Sequence, residues 1–236
     1  MISKRLQIWE LAAWGFDHPI DRGSLIPEEL QRAACHAHHK QGKREPYQAQ
    51  SPIHAELSDE MADSLVTRQE AVADSGEFDG LAWKLAIVDL RKLIAFQRRV
   101  KFAVEDHFRI VDGSSWQQLL DLALPIHATT KSPYIEIASY GGRWFLRDGY
   151  HRSFLLLQRS IHLVPAVVVY AETLAQMGAV GRWFFAEEAI FSTRPPMVTD
   201  FLDDEVVVRY IRTLQHREEQ ALHKSMQKVG PQWSRA

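Results

Sequence analysis

The run Val164-Pro165-Ala166-Val167-Val168-Val169-Tyr170 constrains the chain more than any other stretch. It has no alternation of period two, so the strand it forms is apolar on both sides and belongs inside a sheet. A sheet covered on both faces needs helices, which points to an α/β (α+β) arrangement with a small mixed sheet. The residues before it agree. Tyr134 to Ser139 alternates apolar and polar, Gly141-Gly142 makes a turn, and Arg143 to Leu146 returns as the second strand of a hairpin. Asp148-Gly149 breaks that strand, and Ser153 to Ser160 reads as a short helix carrying Phe154, Leu155, Leu156 and Leu157. Strand, tight turn, helix, strand is the order of a crossover unit.

Further upstream, Leu85 to Leu90 reads as a buried strand, and Ser114-Ser115 caps a helix that stops near Pro125. On this reading residues 81–172 form the core, between a helical N-terminal extension over 1–80 and a helical or irregular extension over 173–236. In the first extension, Leu6, Trp9, Leu11, Ala13 and Trp14 make one stripe of a helix, and Pro27-Glu28-Glu29 opens a second. His39 to Pro52 is an exposed loop, and Ser58 to Ala73 is a third helix stopped by Asp74-Ser75-Gly76. In the last zone, Glu172 to Gly178 reads as a short helix. Asp200, Asp203 and Asp204 read as an exposed acidic loop, and the residues after Val208 as a solvated basic helix.

The 236 residues suffice for one good core, and a formal net charge of -2 gives no global pull toward nucleic acid or an anionic membrane. Cys35 is the sole cysteine, which excludes internal disulfides and thiolate zinc cages. No apolar run approaches the roughly 20 residues of a membrane span, and no secretory signal is visible, so the expected compartment is the cytoplasm.

The chemistry concentrates in Leu146-Arg147-Asp148-Gly149-Tyr150-His151-Arg152-Ser153. The first N–H groups of a helix lack partners inside it, and its dipole favours an anion there. Gly149 lets a phosphate approach the backbone, and Arg152 adds a planar charged fork. His151 titrates near neutrality and can donate to phosphate or move a proton. Asp148 can accept from a hydroxyl or hold a metal ion. An Asp-Gly turn before a helix is also a common cap, with Arg152 paired to a surface acid, and the residues alone leave the two readings even.

Asp148-Gly149-Tyr150-His151-Arg152, the apolar helix after it and Val164-Pro165-Ala166-Val167-Val168-Val169 together resemble the ParB/sulfiredoxin superfamily. Ile87-Val88-Asp89-Leu90, leading to Gln97-Arg98-Arg99, is similar to the family's first strand and basic loop. The resemblance spans roughly residues 83–172 and implies a small α/β fold that binds nucleotide phosphates. On this basis the phosphate-binding residues are Gly149, Tyr150, His151, Arg152, Ser153, Gln97 and Arg99. The ligand is a nucleoside di- or triphosphate with Mg²⁺. Activities in the superfamily include CTP hydrolysis by DNA-clamp ParB proteins, ATP-dependent sulfinic acid reduction, serine phosphorylation and nuclease action. Two departures narrow this set. Tyr150 stands where sulfiredoxins carry their cysteine, and no helix-turn-helix follows Tyr170. The resulting expectation is an NTPase or phosphotransferase, with Asp148 and His151 in catalytic roles and Glu105 as a general base or magnesium ligand. The competing class is a non-catalytic module that binds nucleotide or nucleic acid.

Other residues compete with their bland readings. Arg91, Lys92, Arg98, Arg99 and Lys101 form a basic run that could contact a polyanion, or could be a solvated edge. Asp106, His107 and Glu136 are further candidates for a group that acts on phosphate. Cys35-His36-Ala37-His38-His39, with His54 or His18, has metal-ligand types, yet reads more simply as a polar helix end. Trp116, Trp144 and Trp183 read as packing residues.

Overall fold

The computed structural model describes residues 5–14, 27–103, 115–125, 134–178 and 184–213. Among these, eight strands and five α-helices follow in chain order. The strands are β1 (Arg5–Leu11), β2 (Ala82–Asp89), β3 (Ile94–Ala95), β4 (Arg99–Ala103), β5 (Glu136–Tyr140), β6 (Arg143–Asp148), β7 (Leu163–Tyr170) and β8 (Val207–Thr213). The helices are α1 (Pro27–Gly42), α2 (Asp59–Asp74), α3 (Trp116–Ala123), α4 (Tyr150–Leu157) and α5 (Glu187–Ile190). The architecture is mixed α/β with two sheets.

The larger sheet has the order β2-β7-β5-β6-β3. β5 and β6 form the expected hairpin, with Gly141 (φ 56) and Gly142 (φ 74) both in the left-handed region that a two-residue hairpin loop requires. β5 and β7 are parallel neighbours, and β6 with α4 carries the chain between them. β7 is interior, flanked by β2 and β5, and Val164 through Val169 are buried, as an apolar run demands. Pro165 fits there because of register. It faces Ile87, whose carbonyl points outward to His54 N–H at 2.8 Å, so the Pro165–Ile87 pair needs no hydrogen bond. Ser58 and Ser115 cap α2 and α3 through their side chains, and the second of these caps was expected from Ser114-Ser115.

The smaller sheet, β4-β1-β8, differs from the reading of the sequence. Residues 5–11 are an extended strand with β4 on one side and β8 on the other, not a helix. β8 likewise replaces the start of the expected basic helix, and Glu172 to Gly178 forms turns. One sheet thus draws on all three zones of the sequence, and the main core cluster does the same. The register partners Glu10 and Arg99 are 2% and 5% exposed, and the Tyr210 hydroxyl donates to Glu10 Oε2 at 2.6 Å. Burial, followed by the neighbouring Glu10, pushes the Tyr210 phenol well above its ordinary range.

The acidic segment is a second difference. Asp200 is 3% exposed, accepts from Met197 N–H at 2.8 Å and pairs with one arm of Arg44. The other arm of Arg44 holds Asp203. Burial pushes the Asp200 carboxyl up to about 6, against the pull of Arg44. Its folded pKa thus lies above the ordinary 3.8, so stability is lost as pH rises from about 4 to about 6. Asp200→Asn removes this dependence. Urea midpoints across that window are expected to shift in favour of the variant, relative to the native chain, as pH rises.

Candidate functional site

The segment at Asp148–Ser153 sits where the two sheets meet. β6 ends at Asp148, whose Oδ1 accepts from Gly149 N–H at 2.5 Å. Gly149 takes φ 87 as the N-cap of α4. A Cβ there would lie 3.1 Å from the Ile135 Cα, so the turn demands glycine twice, through conformation and through close packing. The space left by the missing side chain is filled by Ile135.

Tyr150, the first residue of α4, is 3% exposed. Its phenol oxygen accepts from the N–H groups of Phe96 at 2.9 Å and Gln97 at 3.1 Å. Burial pushes its pKa far up, so it stays protonated. Ser153 is fully buried and its Oγ has no hydrogen-bond partner. The side chains of Tyr150 and Ser153 therefore belong to the scaffold, and the Ser153 N–H is spent on the Gly149 carbonyl at 2.9 Å.

His151 is exposed, with its ring edge-on to Phe102 at a centroid distance of 5.1 Å and an interplanar angle of 89°. Nε2 lies 2.7 Å from the Lys101 carbonyl oxygen, which can only accept, so Nε2 carries the proton. Nδ1 is then a free base in the neutral ring. Loss of hydration against Phe102 and β4 holds the imidazole below its ordinary value, leaving it neutral at pH 7. Arg152 is half-buried and donates to the Tyr134 carbonyl at 2.6 Å and the Leu122 carbonyl at 3.3 Å. Burial lowers its pKa, opposed by Asp148, Glu136 and Glu77, and the guanidinium stays charged.

Two of those carboxylates were not singled out as a cluster by their sequence positions. Glu136, 1% exposed at the start of β5, pairs with Arg147 of β6. Glu77 follows α2 and enters through the fold alone. The charges of Asp148, Glu136 and Glu77 thus act on Arg152, Glu136 pairs with Arg147, and Asp148 is half-buried with Oδ1 on the Gly149 N–H.

The basic run is not a single exposed surface. Arg98 is 9% exposed, with its guanidinium 4.6 Å from the Phe185 ring centroid, and Arg99 is buried in the small sheet. Arg91 is exposed but forks onto its neighbour Asp89 at 2.9 and 2.8 Å. Burial works to raise the Asp89 carboxyl, yet the Arg91 bonds outweigh it and hold it low. Lys92 donates to the Ser51 carbonyl at 3.2 Å, and Lys101 is half-buried on β4. Gln97 turns its amide onto the Arg99 carbonyl at 2.8 Å. Gln97 thus meets the first residue of α4 through its N–H on the Tyr150 phenol, while its side chain turns onto Arg99. Glu105, Asp106, His107, His18 and Trp183 lie outside the described residues. Cys35, His36, His38 and His39 stand exposed on α1, and among the described residues no three His, Cys, Asp or Glu side chains converge to hold a metal ion. No helix among them is long and apolar enough to cross a membrane.

Compared with protein-family models, with curated proteins and with solved structures, the chain matches none.

Tyr150→Phe tests the junction directly. It leaves two buried N–H groups without an acceptor, at about 1–3 kcal/mol each. A lower urea midpoint and faster amide exchange at Phe96 and Gln97 are expected. Unchanged exchange at those two amides would show that the phenol does not hold them.

Proposed function

We propose that this chain binds a nucleoside di- or triphosphate at the N-terminus of α4, on a core of ParB/sulfiredoxin type, and hydrolyses it or transfers its phosphoryl group. The observation that carries the reading is the strand–glycine–helix junction. β6 ends on Asp148, Gly149 turns at positive φ, and α4 opens with an exposed His151 and a half-buried Arg152 beside three carboxylates. The chain order β2, β3, β4, α3, β5, β6, α4, β7, with every strand but β4 in one sheet, supports an α/β core of that kind.

Each residue then has a definite task. The α4 N–H groups and the Arg152 charge attract phosphate oxygens. Arg152 is anchored by two carbonyls, so its guanidinium is held in place, and pre-set charge is what phosphoryl transfer chiefly needs. His151, protonated on Nε2 by the Lys101 carbonyl, presents Nδ1 to take a proton from water or an acceptor hydroxyl. The second oxygen of Asp148 suits one position of a magnesium ion whose other ligands are phosphates and waters, a normal donor set for that cation. Magnesium would neutralise phosphate charge in the complex. Burial of Arg98 and Arg99 removes two cations from the surface a nucleic acid would need, which favours the nucleotide reading over the nucleic-acid module.

Calorimetric titration of the full chain with ATP, CTP, GTP and ADP in the presence of Mg²⁺ tests binding. At least one nucleotide should bind, with affinity cut tenfold or more in an Arg152→Ala, His151→Ala double variant. No binding by any of the four, or equal binding by the double variant, sinks the proposal. Phosphate release or acceptor phosphorylation should fall in Asp148→Asn, and binding without turnover would instead identify a non-catalytic module. Because His151 is held below its ordinary value, a step that uses its Nδ1 should persist to lower pH than an unperturbed histidine allows. A pH–rate profile on His151→Gln, which should lose that limb, checks this.

A further inference from the structure

An open cavity of about 400 Å³ lies between the turn after β1, the last turns of α1, and α5 with the segment after it. Trp14, His38, Gln41, Ser192, Thr193 and Arg194 line it, together with two alanines. The Trp14, His38 and Gln41 nitrogens of its walls donate to backbone carbonyls, and Arg194 spends its Nε on the Arg44 carbonyl. His38 Nδ1 lies 3.2 Å from the Ala13 carbonyl oxygen, which can only accept, so that nitrogen carries the proton. Gln41 Nε2 donates to the Arg194 carbonyl at 2.6 Å, and the Trp14 indole N–H reaches the same oxygen at 3.3 Å. The Ser192 hydroxyl donates to the Ala189 carbonyl at 2.8 Å. These bonds fix the orientation of the groups that make them. What His38, Gln41 and Ser192 have left over is acceptor capacity, at Nε2, Oε1 and the Oγ lone pairs.

We propose that this cavity is a binding site for a neutral, hydroxyl-bearing ligand of monosaccharide size. A ligand rich in O–H donors matches these three acceptors, and the Thr193 hydroxyl can meet its oxygens in return. The apolar C–H face of a sugar ring matches the Trp14 and alanine surfaces. Other classes fit less well. The walls contain no carboxylate to neutralise a cation, and Arg194 stands among them. An anion would have Arg194 to meet, but the Trp14, His38 and Gln41 donors that would orient it are engaged. A metal ion would find one imidazole and no second nitrogen, sulfur or carboxylate ligand.

Two-dimensional ¹⁵N NMR of the full chain, titrated with methyl glucoside, methyl galactoside, methyl mannoside and N-acetylglucosamine, tests the proposal. The Trp14 indole and Gln41 side-chain amide signals should move, and saturate, with at least one of the four. Choline and inorganic phosphate should leave them in place. His38→Phe and Gln41→Met, which keep bulk and remove the acceptor, should each weaken the response tenfold or more. If His38→Phe does not fold, Gln41→Met and the native titration decide. No shift with any of the four sugars at tens of millimolar, a response to choline or phosphate instead, or undiminished saturation in Gln41→Met would overturn it.

Discussion

One phenol oxygen holds the two halves of the architecture together. Phe96 and Gln97 lie between β3, which belongs to the five-stranded sheet, and β4, which belongs to the three-stranded one. A chain that leaves one sheet for another must strand some N–H groups between ladders, and buried N–H groups without partners are costly. Tyr150 accepts both. Because Tyr150 is also the first residue of α4, the same contact fixes where that helix begins relative to both sheets. Trp9, Phe102 and Phe154 continue the junction as an aromatic cluster joining β1, β4 and α4, with ring centroids 5.1 to 5.4 Å apart. The His151 ring rests on the same Phe102, so the candidate site stands on the junction itself.

The five-stranded sheet was legible where local pattern decides structure. The Gly141-Gly142 hairpin, the Ser115 cap and the unbroken apolar run of β7 each carry their signal within a few residues. β1 did not, for a physical reason. Ile8, Trp9, Glu10 and Leu11 are all buried, so no alternation marks the strand, and Glu10 is buried only because Arg99 and Tyr210 arrive from distant parts of the chain. Asp200 misled for a related reason. A carboxylate in an acidic run reads as solvated until Arg44, far away in sequence, is seen to cover it.

At the candidate site the sequence marked the turn correctly but not the duties of its residues. Gly149 is required by Ile135 and by its own φ, Tyr150 by two backbone amides, and Ser153 by packing. What the motif leaves at the surface is His151 and part of Arg152 and Asp148. Glu136 and Glu77 join them only through the fold. The cavity beside Trp14 had no sequence signal at all, since its walls come from three stretches that no local motif connects, and His38 read simply as part of a polar helix end.

The order of strands in the small sheet also bears on how the chain is made. β1, made before both of its neighbours, is the middle strand, and its partner β8 lies about 200 residues later. At about 5–20 residues per second, β1 waits tens of seconds for its second neighbour. During that time Ile8 and Trp9, buried in the finished protein, are without part of their cover, and one whole edge of β1 offers its backbone to any other extended segment. Closure of such a sheet is non-local and correspondingly slow. A nascent chain of this design is vulnerable at β1 until β8 has arrived.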